Sequence, residues 1–175
     1  MAREFILHWG EMGSRWGVNR TVAQVHALLY LSGDPLTAED ITEALSVARS
    51  NVSTSLRELQ NWQLVRATHQ IGDRREFFST SQDVWQLFLT VLQQRVEREI
   101  DPTIAALARL AAEARAEKQP EITARIADMH AFLHEIRGWY QQVIGLPPGT
   151  LRRLVNLGAG VTKWLPSQGK AKGEK

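Results

Sequence analysis

The spacing of apolar positions changes along the chain, and the changes divide it. Phe5, Ile6, Trp9, Met12 and Trp16 recur at helical spacing over residues 4–16 and predict a first helix ending near Gly17. A second helix over 20–32 carries a broad apolar face of Val22, Val25, Leu28, Leu29 and Leu31, and Gly33-Asp34-Pro35 ends it. Thr37-Ala38-Glu39-Asp40 reads as a capping box, with both acidic residues favoured by the helix dipole. The short helix it opens turns Ile41, Ala44 and Leu45 inward. Ser46-Val47 makes a tight turn, and another helix spans 49–61. The pattern then becomes β-like. Leu64–Ile71 and Glu76–Thr80 are extended runs around a Gly72-Asp73 turn, which predicts a β-hairpin.

Beyond residue 80 the spacing is helical again. Asp83–Ile100 sets Val84, Leu87, Phe88, Val91, Leu92 and Val96 on one side, and Asp101-Pro102 is read as an interruption. An alanine-rich helix follows over 103–118, then a second interruption at Gln119-Pro120. Over 121–144, Ile122, Ile126, Met129, Leu133, Ile136, Tyr140 and Val143 follow spacings of 4, 3, 4, 3, 4, 3, a heptad seam. Gly145 and Pro147-Pro148-Gly149 stop it. A last apolar helix is expected over 150–165, and the Lys/Gly run Lys170–Lys175 belongs to a disordered tail.

The order helix, helix, turn, helix, hairpin is the outline of a winged helix-turn-helix. The expected fold is therefore mainly α, with one β-hairpin wing and a helical dimerisation region. Residues 1–18 would give an N-terminal helix of the dimer core, and 19–81 the winged helix-turn-helix. Residues 82–166 would form the dimerisation and effector region, and 167–175 the tail.

Composition narrows the function. The chain has 175 residues, is 43% apolar and contains no cysteine. It can bury a core, and it lacks disulfides, thiolate metal sites and cysteine nucleophiles, which fits a reducing cytoplasm. No apolar run reaches the length of a membrane span, and Met1–Phe5 does not open a signal peptide. The net charge of +2 says little until the charges are placed.

Their placement centres on residues 49–61. At 100° per residue, Val52, Leu56 and Leu59 fall within about 60° of one another and must face a core. Ser50, Ser53, Thr54, Arg57 and Asn61 then point the other way. This face is small, polar and poor in carboxylates, as a helix entering a major groove requires: hydroxyls permit close approach, and arginine can make two bonds to guanine. With Arg49 and Asn51 these residues are the candidate DNA contacts, joined by Arg74 and Arg75 at the wing tip. The competing reading of the helix alone is an ordinary amphipathic surface helix. The capped helix before it and the hairpin after it favour the DNA-reading one.

The stretch Leu36–Val65, with its most specific part at Arg49–Val65, resembles the GbsR-like branch of the MarR transcriptional regulators. Gly72-Asp73-Arg74-Arg75, Phe77-Phe78, Asp83-Val84-Trp85 and the opening Trp9-Gly10-Glu11-Met12-Gly13 extend the resemblance over about residues 1–145. It implies a homodimer that binds an inverted repeat in double-stranded DNA, usually as a repressor, and in some members a response to choline- or betaine-type ligands. One departure is Ala48, where many helix-turn-helix proteins have Ser or Thr. Either the reading helix lacks a side-chain N-cap, or Ser46 supplies it one turn earlier.

Other signals are weaker. Of six tryptophans, Trp9, Trp16, Trp85 and Trp139, with Tyr140, are candidates for an aromatic cage around a small-molecule effector; packing of a dimer core by the same rings is the favoured reading. His130 and His134 share a helix face, but without a third ligand they specify no metal site. No nucleophile elbow or phosphate loop is present, so neither catalysis nor a cofactor is expected. Arg95–Glu99 reads as a solvated helix face. Two rivals stand beside the regulator: a winged protein-interaction module without specific DNA binding, and a membrane-surface protein using residues 151–165 as an interfacial helix.

Overall fold

The computed structural model describes residues 1–161, in two compact units: Met1–Asp101, and the chain from Pro102 onward. In the first unit, α1 (Ala2–Arg15) and α2 (Arg20–Ser32) are followed by β1 (Leu36–Thr37), α3 (Ala38–Leu45) and α4 (Arg49–Asn61). The strands β2 (Val65–His69) and β3 (Glu76–Thr80) come next, then α5 (Val84–Arg95) and a π-helical turn at Val96–Ile100. The second unit is built from α6 (Asp101–Ala116), α7 (Pro120–Ile144) and α8 (Pro148–Val161).

The core of the first unit gathers most of the apolar positions that the spacing predicted, though Leu31 of α2 is 43% exposed and stays outside it. Val22, Val25 and Leu29 of α2 meet Ile41 of α3, Val52, Leu56 and Leu59 of α4, and Val65 and Phe78 of the sheet. Val25, Ile41 and Val52 are wholly buried, and each such side chain stabilises the fold by about 1.5–3 kcal/mol. α1 packs on α2 through two glycines. A Cβ on Gly13 would stand 2.6 Å from Ala23 Cβ, and one on Gly10 would stand 2.7 Å from Gln24 Cγ.

The sheet is antiparallel in the order β1-β3-β2, with Leu36 opposite Phe78, Val65 opposite Thr80 and His69 opposite Glu76. The expected hairpin is therefore joined by a third strand of two residues. The capping box is formed: the Thr37 hydroxyl accepts from the Asp40 N–H at 3.2 Å, and the Thr37 N–H donates to the Asp40 carboxylate at 2.8 Å. α3 buries Ile41 and half-buries Leu45, but Ala44 is exposed. Ala44 lies about 60° from Ile41 on the helix, on the side away from Leu45, and so narrow a contact leaves it outside.

Two further expectations change. Asp101-Pro102 does not interrupt the helical run. α5 widens into the π turn, whose closing bond runs from the Asp101 N–H to the Val96 carbonyl, and α6 continues directly. Proline lacks an N–H and crowds the carbonyl four residues back; an inserted residue accommodates both effects. The stop between α6 and α7 comes from Lys118 in the left-handed region (φ 57°), with Pro120 opening α7. α8 starts at Pro148 rather than 150. The expected end of that helix at 162–165 and the 167–175 tail lie outside the described residues.

Candidate nucleic-acid interface

α4 holds its orientation through its inner face. Val52, Leu56 and Leu59 are at most 3% exposed, and Ser55 is buried beside them. Arg49, Ser50, Asn51, Ser53, Thr54, Arg57 and Asn61 are all exposed. No carboxylate interrupts the outward set; Glu58 is half-buried at its flank.

The start of α4 resolves the two alternatives for its cap. Ala48 is the N-cap residue and offers no side-chain bond. Ser46 is instead the left-handed C-cap of α3, its N–H donating to the Glu43 carbonyl at 3.3 Å. Arg49 is paired through its Nη1 with Glu39 of α3, which holds the Glu39 carboxyl below its ordinary range. Arg57 has no ion-pair partner among the described residues.

The wing tip separates two arginines that look alike in sequence. The turn is closed by the Asp73 N–H donating to the Gln70 carbonyl at 3.1 Å, with Gly72 at φ 88°. Arg75 folds back on Asp73: its Nε and Nη2 donate to the carboxylate at 3.0 and 2.6 Å, and its backbone N–H donates at 2.9 Å. The Arg75 side-chain bonds, then the backbone bond, bring the Asp73 carboxyl down to about 2. Arg75 also lies over the Phe77 ring at 5.6 Å. Arg74 is exposed and has no ion-pair partner among the described residues, so it is the cation free to meet a new anion.

The base of the wing is tied to α2. The Thr80 hydroxyl donates to the Leu64 carbonyl at 2.7 Å, so it accepts from His26 Nε2, 3.2 Å away. That bond places the neutral ring's proton on Nε2. Burial lowers the His26 pKa to about 4.

The aromatic candidates stand apart. Trp9 stacks on Phe5 at 5.6 Å on α1, Trp16 is 64% exposed at the end of that helix, and Trp85 meets Phe88 edge-on at 6.3 Å on α5. Among the described residues no ring contact joins these three tryptophans. On α7, Trp139 is exposed and its neighbour Tyr140 buried. His130 and His134 stack at 6.1 Å, and no group of three potential metal ligands occurs among the described residues.

Sequence reasoning missed Trp62. Arg95 and Arg98 lie over its ring at 5.9 and 5.0 Å, and Arg98 Nη2 donates to the Asn61 carbonyl. Arg95, the last residue of α5, and Arg98 of the π turn thus dock on the end of α4, and the run Arg95–Glu99 is not a plain solvated face. A tryptophan immediately after a reading helix, with no apolar partner assigned, was the available signal.

A helix locked on its inner face, a polar outer face and a three-stranded wing define a winged helix-turn-helix domain. The model of the MarR family matches residues 16–76. The HTH-type transcriptional repressor GbsR of Bacillus subtilis (strain 168) is 25% identical over 92 residues, covering 53% of this chain and 51% of that protein. The putative HTH-type transcriptional regulator YvaV of the same organism is 25% identical over 87 residues (50% and 49% covered), and the HTH-type transcriptional repressor OpcR is 24% identical over 76 residues (43% and 41%). The chain spans about half the length of the curated relatives it matches. A crystal structure described as a transcriptional regulator superimposes with a TM-score of 0.62 at 20% identity, covering 82% of this chain and 95% of that one, a likeness of fold. The match to the MarR family covers the winged region, and the relatives to which the chain is similar agree with the GbsR-like resemblance read from its sequence.

Proposed function

We propose that the chain is a transcriptional regulator, not an enzyme, that binds a specific double-stranded DNA sequence through the outward face of α4. The supporting observation is the division of α4 into a wholly buried apolar face and an exposed face of Arg49, Ser50, Asn51, Ser53, Thr54, Arg57 and Asn61. Arg57 is the candidate for bidentate readout of a guanine, and Arg74 for a phosphate or minor-groove contact, with Arg75 beside it.

The regulator acts as a homodimer on an inverted repeat, its two reading helices roughly 34 Å apart. The apolar surface of α7 supports this: Ile122, Met129, Ile136 and Trp139 are 44–62% exposed within one chain, as residues meeting a second copy would be. The sign of regulation is repression, as in the names of two relatives. A small-molecule effector changes operator affinity by binding the two states of the dimer unequally; Trp9, Trp16, Trp85, Trp139 and Tyr140 either form its site or pack the dimer. No described helix is long and apolar enough to cross a membrane.

The test is selection of bound sequences from random duplex DNA, followed by titration of the selected site with the wild type and Arg57→Ala. The variant should bind it about 1–3 kcal/mol more weakly and lose preference at one position. Unchanged affinity and preference would remove Arg57 from the interface. Failure to enrich any sequence would leave a protein-interaction module as the better reading.

A further inference from the structure

α4 ends in a Schellman arrangement. The Leu64 N–H donates to the Leu59 carbonyl and the Gln63 N–H to the Gln60 carbonyl, both at 2.9 Å, with Gln63 left-handed at φ 57°. The Trp62 N–H takes the Glu58 carbonyl at 3.0 Å. The Asn61 carbonyl stands one step beyond these bonds, at the negative end of the helix dipole. Arg98 Nη2 donates to it from the π turn.

The guanidinium is held from three sides. It lies over the Trp62 ring at 5.0 Å, and Arg95 lies over the same ring at 5.9 Å. Arg98 Nε donates to Gln94 Oε1 at 3.0 Å. Gln94 is 3% exposed, and its amide is fixed in turn by Glu97, which accepts from Nε2 at 3.3 Å. A planar fork that bonds a carbonyl, stacks on an indole and is oriented by a buried amide uses geometry that lysine cannot reproduce.

We infer that Arg98 is a positioning residue for DNA reading: from the π turn it closes the C-terminal end of α4 and fixes the tilt at which α4 presents its outward side chains. The inference rests on α4 being the helix that meets bases. Arg98 itself acts through α4, not through DNA. The π turn is also the last segment before α6 in the chain, so the clamp stands at the covalent joint to the helices that follow.

The experiment uses the full chain, Arg98→Lys and Arg98→Ala, with two measurements. The first is amide hydrogen exchange over residues 58–64 without DNA. Both variants should exchange about tenfold faster there while β2 and β3 hold their protection. The second is affinity for a duplex selected from a random pool and for a scrambled duplex of the same composition. Both variants should lose about tenfold on the selected duplex, the size of one bidentate base contact, with affinity for the scrambled duplex and its salt dependence unchanged. Trp62→Phe keeps a ring under the arginines and should show a smaller loss of protection and selectivity than Arg98→Ala. Unchanged exchange in both arginine variants overturns the clamp. So does an Arg98→Ala that weakens both duplexes alike and lowers the salt slope by about one while Arg98→Lys binds normally, for that marks a phosphate contact. If the wild type does not distinguish the duplexes, the DNA-reading assignment fails on its own, and the exchange measurement still decides whether Arg98 holds the end of α4.

Discussion

Val25, Ile41 and Val52 are 0% exposed in the winged unit, whereas Met129, Phe132 and Trp139 on α7 are 52%, 56% and 62% exposed. In the first region, helices of eight to fourteen residues and three short strands surround one core. In the second, α7 runs for 25 residues with a heptad seam, yet Tyr140 is its buried residue. The two regions therefore stabilise themselves differently. The winged unit closes its core with its own side chains. The long helix presents a surface that a second chain would complete, in keeping with the proposed dimer.

Three substitutions separate these modes. Leu133→Asp places a carboxylate in the α7 seam, where burying it costs several kcal/mol. Light scattering after size exclusion should show a monomer or an unfolded chain, and DNA affinity should fall about a hundredfold or more as linked binding to the second half-site is lost. A variant that remains dimeric and binds normally would remove α7 from the interface. Ile41→Ala opens a cavity in the winged core and should cost about 3 kcal/mol. In urea titrations this loss should be the same at every protein concentration, whereas Ile136→Ala on α7 should grow milder as concentration rises. Concentration-independent losses for both would erase the distinction.

A third effect belongs to the winged unit and not to α7. Burial lowers the His26 pKa to about 4 from 6.5. The unfolded chain then binds more protons than the folded one between those values, so stability is complete above about pH 6.5 and declines as pH falls toward 4. The decline should reach about 2 kcal/mol by pH 5. Urea titrations at pH 7.5 and pH 5 measure it, and His26→Gln should flatten the difference. An equal pH response in that variant would assign the effect to other groups.

What sequence could reveal follows the range of the interactions. The helices of the winged unit, the capping box at Thr37 and the hairpin come from local periodicity and local bonds, and they stand where the pattern put them. The inward face of α4 was legible because Val52, Leu56 and Leu59 admit one helical arrangement. β1 was not legible: a two-residue strand has no period, and it exists by pairing with β3 some forty residues later. The π turn was hidden because Pro102 looks locally like a break, while its companions Trp62 and Asn61 are distant in sequence. Arg74 and Arg75 were equivalent as letters; the carboxylate of Asp73 makes them different. Trp9 and Trp85 make their ring contacts within their own helices, and no local pattern says whether the aromatic candidates share a site.

The smallest expected effect compares two helix ends of one design. α1 closes with Gly17 at φ 79°, the Val18 N–H donating to the Gly13 carbonyl at 2.9 Å and the Gly17 N–H to the Ser14 carbonyl at 3.2 Å. α4 closes with the same pair of bonds, but Gln63 occupies the left-handed position at φ 57°. A side chain there costs about 1 kcal/mol that glycine avoids. Glycine also gives the unfolded chain more freedom, which returns about half of the gain. Gln63→Gly should therefore stabilise the protein by about 0.5 kcal/mol. The reverse change, Gly17→Ala, should destabilise it by about 0.5 kcal/mol on the same reckoning; nothing lies within 4 Å of the added Cβ, so the cost is one of backbone conformation alone. Urea midpoints of the two variants, taken at one protein concentration, measure both. A destabilising Gln63→Gly would mean that the Gln63 side chain contributes more to the end of α4 than its backbone strain costs. A neutral Gly17→Ala would mean that the left-handed closure is not what fixes α1. Opposite signs at the two positions would show that the two helix ends are one motif, closed in α1 by glycine and in α4 by a strained glutamine backed by Arg98.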